Sequence, residues 1–272
     1  MASPNIYPNG IGGSTGATLA TVSPLLQSGD TWYVHASSGS DAASPRGKER
    51  IRPLATLAQA YTNAAAGDII VCLSGHTETL TASQTLGKAG LTVVGEGSGS
   101  SRPRFTRNAD IVMFNITADG VTLNNLWFPV SGTTSTNARV KTASVNTKLI
   151  GCYFEHGTAD DGPGFETVTG ASQCLVKDTT FISTASSASD QPDSAIKVTN
   201  AITDLELDTV IFSGGSSGWA NPYAFNGAGA ITRLRALNVD LLLDSDVTLV
   251  TGTSGYWHTR NKTGSARVVW TA

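Results

Sequence analysis

Five segments of this chain repeat one another, and that repeat restricts the available folds more than any other feature. "VTLNNLWF" ends at Phe128, "TKLIGCYF" at Phe154, "LVKDTTF" at Phe181, "LELDTVIF" at Phe212 and "LRALNVDL" near Leu241. The steps between them are 26, 27, 31 and 29 residues. Between them lie shorter strand-like pieces with small turns: "MFNITADG" (113–120), "VKTASVNT" (140–147), "FETVTGAS" (165–172), "IKVTNAI" (196–202), "AFNGAGAI" (224–231) and "TLVTGTS" (248–254). Each unit therefore reads as strand, tight turn, strand and loop. Apolar and polar residues alternate along it, as in half-buried strands.

A unit of this size cannot bury its own apolar face and needs a neighbour stacked on it. With no helices between the strands, βαβ folds are excluded. A sandwich would show irregular spacing and hairpin turns every 8–12 residues or so. The repeat thus predicts an all-β parallel β-helix, a solenoid whose neighbouring coils lie about 4.8 Å apart. Phe128, Phe154, Phe181 and Phe212 form an internal ladder in this reading. The variable loops (129–137, 155–164, 183–193 and 213–222) stack along one side.

One helical pattern precedes the repeats. Leu54, Leu57, Ala58, Tyr61 and Ala65 share a face at helical spacing. Pro53 suits a first turn and Gly67 a stop. A lone apolar stripe must cover something, and the open end of a solenoid needs a cap. The reading is a capping helix over about 53–66, in a β-helix spanning 32–252. Residues 253–272 close the last coil or pair with a neighbour.

Residues 1–29 carry no charged side chain. They do carry Ile6, Tyr7, Ile11, Leu19, Val22, Leu25 and Leu26, spaced by Gly, Pro, Ser and Thr. A free solvated tail is usually charged, so residues 1–31 read as an extended attachment arm. The arm either packs on its own solenoid or orders on a neighbouring subunit.

Composition narrows the partners. Charged residues make up 14% and the net charge is -3, which gives no electrostatic case for nucleic acid. No run of 18 apolar residues marks a membrane span. The first residues lack a basic region followed by an apolar core, so synthesis in a cytoplasm is expected. Cys72, Cys152 and Cys174 form no even framework and read as small buried hydrophobes. His35, His76, His156 and His258 show no metal spacing. No cofactor or metal is expected.

"WYVHASSGSDAASPRGKERIRPLATLAQAYTNAAAGDIIVCLSG" (32–75) resembles the opening module of the pectate-lyase-like right-handed β-helix proteins, and "GVTLNNLWF" (120–128) is similar to their common coil. The resemblance covers roughly 32–250. It implies a right-handed coil, and it points to phage tail spikes and other virion surface proteins or to carbohydrate-active enzymes. Phage β-helices of this kind usually associate as trimers.

Two chemistries of the family lack their parts. The polygalacturonase-like branch would need a "GHG" and an "RIK"; this chain has "DDG" at 160–162 and "AIKV" at 195–198. Pectate lyases need an arginine base beside calcium carboxylates, and no arginine lies between Arg139 and Arg233. One constellation stays open. Asp160 and Asp161 lie in one loop and Asp190 and Asp193 in the next, and stacking would set them roughly 5–10 Å apart, the glycosidase range. Trp219 and Tyr223, in or beside the following loop, would offer a sugar platform. Asp is also a common turn residue because its side chain bonds nearby backbone.

Two functions follow as expectations. The first is a non-enzymatic virion protein, a homotrimeric capsid decoration (cement) protein held on the major capsid protein or another virion protein by its arm. The second is a tail spike or polysaccharide-degrading protein that binds a host surface glycan through the stacked-loop carboxylates.

Overall fold

The computed structural model describes residues 29–42, 46–157, 162–185, 192, 194–214, 219, 225–227, 229–242, 247–249, 253–263 and 268–270. Within them the chain is a parallel β-solenoid with three strand faces. The first face stacks Thr31–Val34, Ile69–Cys72, Thr92–Gly95, Thr122–Asn124, Lys148–Ile150, Ser172–Lys177 and Ile202–Asp208. The second stacks Thr77–Leu80, Arg104–Arg107, Trp127–Phe128, Tyr153–His156, Thr180–Ser183 and Ile211–Gly214. Ile231–Leu242 runs through both faces, and Gly255–Thr263 pairs beyond it. The third face runs from Gln84–Leu86 through Phe114–Ile116, Val140–Thr142, Phe165–Thr167, Ile196–Val198, Phe225–Gly227 and Val247–Leu249 to Val268–Trp270. Every pairing is parallel, so each strand meets its equivalent one coil away.

Each coil therefore holds three strands, not two. "VTLNNLWF" is not one strand but a bent pair, Thr122–Asn124 and Trp127–Phe128. The bend falls at Asn125, whose φ is 55°. Gly151, Asp178, Thr209 and Asn238 repeat it one coil later each time, with φ of 62°, 49°, 57° and 53°. These residues bond into the next coil: Asn125 N to Ile150 O at 2.8 Å, Gly151 N to Lys177 O at 2.9 Å and Asp178 N to Asp208 O at 2.9 Å. A second left-handed column stands just before the first face or in the opening residues of its strands, at Gly67, Gly90, Gly120, Asn146, Gln173, Asp204 and Arg233. All eight non-glycine residues with positive φ among the described residues stand in these two columns. That conformation costs an L-residue roughly 1–2 kcal/mol and a glycine little, so the cost falls in the coils whose corner carries a side chain.

The core lies between the faces. Phe128, Phe154, Phe181 and Phe212 are fully buried and stack in register. Their ring centroids are 4.6, 4.8 and 5.6 Å apart at interplanar angles of 10–16°. Each buried ring contributes roughly 1.5–3 kcal/mol by leaving water, with roughly 0.5–1.5 kcal/mol more per ring pair. Cys72, Cys152 and Cys174 are buried free thiols. Burial raises all three, Cys152 to about 11 and Cys174 to about 12.

The helix is shorter than its apolar periodicity suggests, spanning Leu57–Asn63. Thr56 caps it, accepting a bond from Gln59 N at 3.2 Å. Pro53 lies outside the first turn because Asp41 holds the preceding backbone, accepting from Ala55 N at 2.8 Å and Thr56 N at 3.2 Å. Leu54 instead forms a bridge with Val34. Gly67 is not the stop either; Ala64 ends the helix, and Gly67 opens the second left-handed column. Leu57 and Ala60 are buried in the same core as Val34 and Leu54. Both helix ends are bonded to the first coil. Glu78 accepts from Leu57 N at 2.9 Å, and Lys88 donates to the carbonyls of Tyr61, Thr62 and Ala64. The Tyr61 hydroxyl accepts from Gly87 N at 2.9 Å.

Candidate functional site

The loops between the second and third faces are where the sequence places its carboxylates. Asp160, Asp161, Asp190, Asp193 and Tyr223 lie outside the described residues. So do Ile6, Tyr7, Ile11, Leu19, Val22, Leu25 and Leu26 of the arm. Trp219 is described, and it corrects the expectation. It is 3% exposed, and its ring lies 4.9 Å from His156 at 61°. A buried ring packed on an imidazole offers no open face to a sugar.

Beneath these loops sits a buried polar cluster that the repeat did not reveal. Arg139 is fully buried. It donates to His156 Nδ1 at 2.9 Å, Gly162 O at 3.2 Å and Glu155 O at 2.6 Å. Accepting at Nδ1 leaves the His156 proton on Nε2. Burial, and then the charges of Arg139 and Arg107, hold His156 well below its ordinary range, so it is neutral. Arg107 donates to the carbonyls of Ile111 at 2.6 Å and Asn137 at 2.7 Å. These groups tie loop backbone to the core. A fully buried neutral imidazole serves as an acceptor there, away from any solvent-borne substrate. Among the described residues no three His, Cys, Asp or Glu side chains converge as a metal-holding group.

The outer surfaces differ from face to face. The third face presents one outward residue per strand, in the order Asn115, Lys141, Glu166, Lys197 and Asn226. Glu166 lies 3.9 Å from Lys141 Nζ and accepts from the Thr199 hydroxyl at 2.7 Å. The first face is also charged. Lys148, Leu175, Glu206, Arg235 and Tyr256 stand in line on it, beside an open groove of about 660 Å³. Three pairs of its charges already neutralise one another: Arg233 with Asp204, Lys177 with Asp208 at 2.6 Å, and Arg235 with Glu206 at 3.7 Å.

The second face carries aromatic side chains outward. Arg104, Trp127, Tyr153, Thr180 and Ile211 form one row in register. The Arg104 guanidinium lies 5.0 Å from the Trp127 ring centroid, and Arg102 lies 5.8 Å from that of Tyr153. The two rings meet edge to face at 6.2 Å. Gly99, Arg102, Trp127, Tyr153 and Glu155 line a hollow of about 380 Å³. Burial and then Glu155 push the Tyr153 hydroxyl up, against the charge of Arg102. Arg102 Nε and Trp127 Nε1 are buried donors with no acceptor among the described residues. A signal for this row is present in the sequence. Trp127, Tyr153, Thr180 and Ile211 each precede an aligned phenylalanine, and strand periodicity turns neighbours to opposite faces.

No family model and no curated protein matches this chain. Among solved structures it is similar to a rhamnogalacturonan lyase, at 15% sequence identity and a TM-score of 0.48. The match covers 82% of this chain and 71% of that one. At that identity the similarity concerns the fold alone, and the fold stands on its own strand pairings as a parallel β-solenoid.

Proposed function

We propose that this chain is a non-enzymatic structural protein of a bacteriophage virion, a homotrimeric decoration protein on the outer surface of the capsid. The uncharged segment ahead of the solenoid attaches it to the major capsid protein or another virion protein. One contrast carries the reading. A regularly bonded solenoid with charged outer faces is preceded by 28 residues with no charge and several large apolar side chains. Such a segment gains most by burial on another protein surface.

Deletion of residues 1–28 tests this. The shortened chain is expected to keep its circular-dichroism spectrum and unfolding midpoint while no longer co-sedimenting with phage particles. Undiminished co-sedimentation would sink the reading.

A second reading, binding of a host surface glycan, is favoured by the hollow at Arg102, Trp127, Tyr153 and Glu155. Aromatic rings with convergent donors and a carboxylate suit a hydroxylated ring. Particle binding retained without residues 1–28, together with glycan binding abolished by Trp127→Ala, would move the conclusion to this reading.

A further inference from the structure

We infer that the C-terminal end of the solenoid receives the N-terminal segment of a second copy, whose residues 14–22 add as a strand to the edge Gly255–Thr263. The inference goes beyond the reading above: residues 14–22 join one copy to the next, and residues 1–13, with Ile6, Tyr7 and Ile11, are left to reach the virion.

The edge is long and open. Among the described residues, Gly255–Thr263 pairs on one side only, with Ile231–Leu242. Val268–Trp270 on the third face likewise pairs only with Val247–Leu249. Such an edge presents backbone donors and acceptors to any extended strand. Apolar surface lies beside it. Trp257 is partly buried against the core, 5.9 Å from Phe225, and Tyr256 is 56% exposed. The opposite end differs, because there the helix Leu57–Asn63 is bonded to Glu78, Gly87 and Lys88.

The occupant is identified by its sequence. "STGATLATV" at 14–22 is nine residues long, as is the edge strand. It contains no proline, whereas Pro4, Pro8 and Pro24 lie outside it. A proline could not donate to the ladder. Three threonines and a valine favour the extended state. The stretch brings no charge to an edge whose Arg260 is already turned back onto Asp240 at 3.0 Å.

Reach decides that a second copy is needed. Nine strands of the first face, from Thr31–Val34 to Gly255–Thr263, occupy eight spacings, or roughly 38 Å at about 4.8 Å each. Residues 23–29 span roughly 25 Å when fully extended. Residues 14–22 therefore fall short of the C-terminal edge of their own chain. A copy whose C-terminal end lies beside this chain's N-terminal end brings the edge within range. That head-to-tail contact is heterologous and can close into a ring, including one of three.

The full-length chain tests this, with Thr18→Pro as the variant. Light scattering is expected to show assemblies for the parent chain that Thr18→Pro loses, with the circular-dichroism spectrum unchanged. Amide exchange across Gly255–Thr263 should be slowed about 10-fold in the parent chain at a total concentration of 100 times the dissociation constant, where about a tenth of the edges stay free. Dilution should remove the slowing. A monomeric parent chain, an edge equally exposed in both proteins, or protection that survives dilution would each overturn the inference. Should Thr18→Pro still assemble while the chain lacking 1–28 fails to bind particles, the edge assignment fails and the attachment reading stands. Edge protection lost in Thr18→Pro, alongside particle binding without 1–28, has the reverse meaning.

Discussion

Thr209 shows what single residues bear in this fold. It is β-branched yet holds φ at 57°, at a corner where the neighbouring coils place Asp178 and Asn238. Asparagine tolerates that conformation because its short polar side chain bonds locally. Thr209→Asn is therefore expected to stabilise the protein by about 1 kcal/mol, read as an upward shift of the urea midpoint at constant slope. An unchanged or lowered midpoint would show that the corner is not strained. The corner residues were hard to read from sequence for a physical reason. Asn125, Gly151, Asp178, Thr209 and Asn238 share a backbone conformation but not one common side-chain type. Strand alternation runs visibly into each bend and out of it, so the bend hides inside what looks like one strand. The inward phenylalanines were legible because buried positions in register select one kind of side chain. Trp219 was not, since a Gly- and Ser-rich loop has no period to say which way a ring turns.

At the scale of elements, the start of the solenoid hangs on Asp68. Its carboxylate accepts from Asp30 N at 2.7 Å, Trp32 Nε1 at 3.0 Å and Ala65 N at 2.8 Å. It thereby joins the first strand and the end of the helix to the first coil. Burial pushes the carboxyl upward, but these bonds and Lys48 outweigh it and hold the group below its ordinary 3.8. A carboxyl depressed in the folded state takes up its proton later than the unfolded chain does as pH falls. Its contribution is thus complete above the ordinary aspartate value and fades as pH drops through the lower folded value. Asp68→Asn should flatten the acid limb of the stability–pH curve below about pH 4, with a loss at neutral pH. An acid limb identical to that of the parent would assign the pH dependence elsewhere. The helix itself was legible as a pattern, but its ends were not. Periodicity counted Leu54 and Ala65, whereas long-range bonds from Asp41, Glu78 and Lys88 set where the helix begins and stops.

Across the whole molecule, the two left-handed columns keep a fixed count. From Gly120 onward they stand five positions apart in each of five coils, from Gly120 to Asn125, Asn146 to Gly151, Gln173 to Asp178, Asp204 to Thr209 and Arg233 to Asn238. Three more lead to each inward ring or to Leu241. All variation in repeat length therefore falls after the inward residue, in the loops and the third face. A residue inserted between Gly151 and Phe154 would turn the ring outward. It is expected to abolish cooperative unfolding. One glycine inserted after Gly132, an exposed position with open space around it, should cost less than about 1 kcal/mol. Equal damage from both insertions would refute the fixed count.

That fixed count also bears on how such a chain diversifies. Two corners work as a metronome that sets the pitch, and the third is free to lengthen without altering the beat. New surface chemistry can then be added coil by coil on one flank while the fold stays in time.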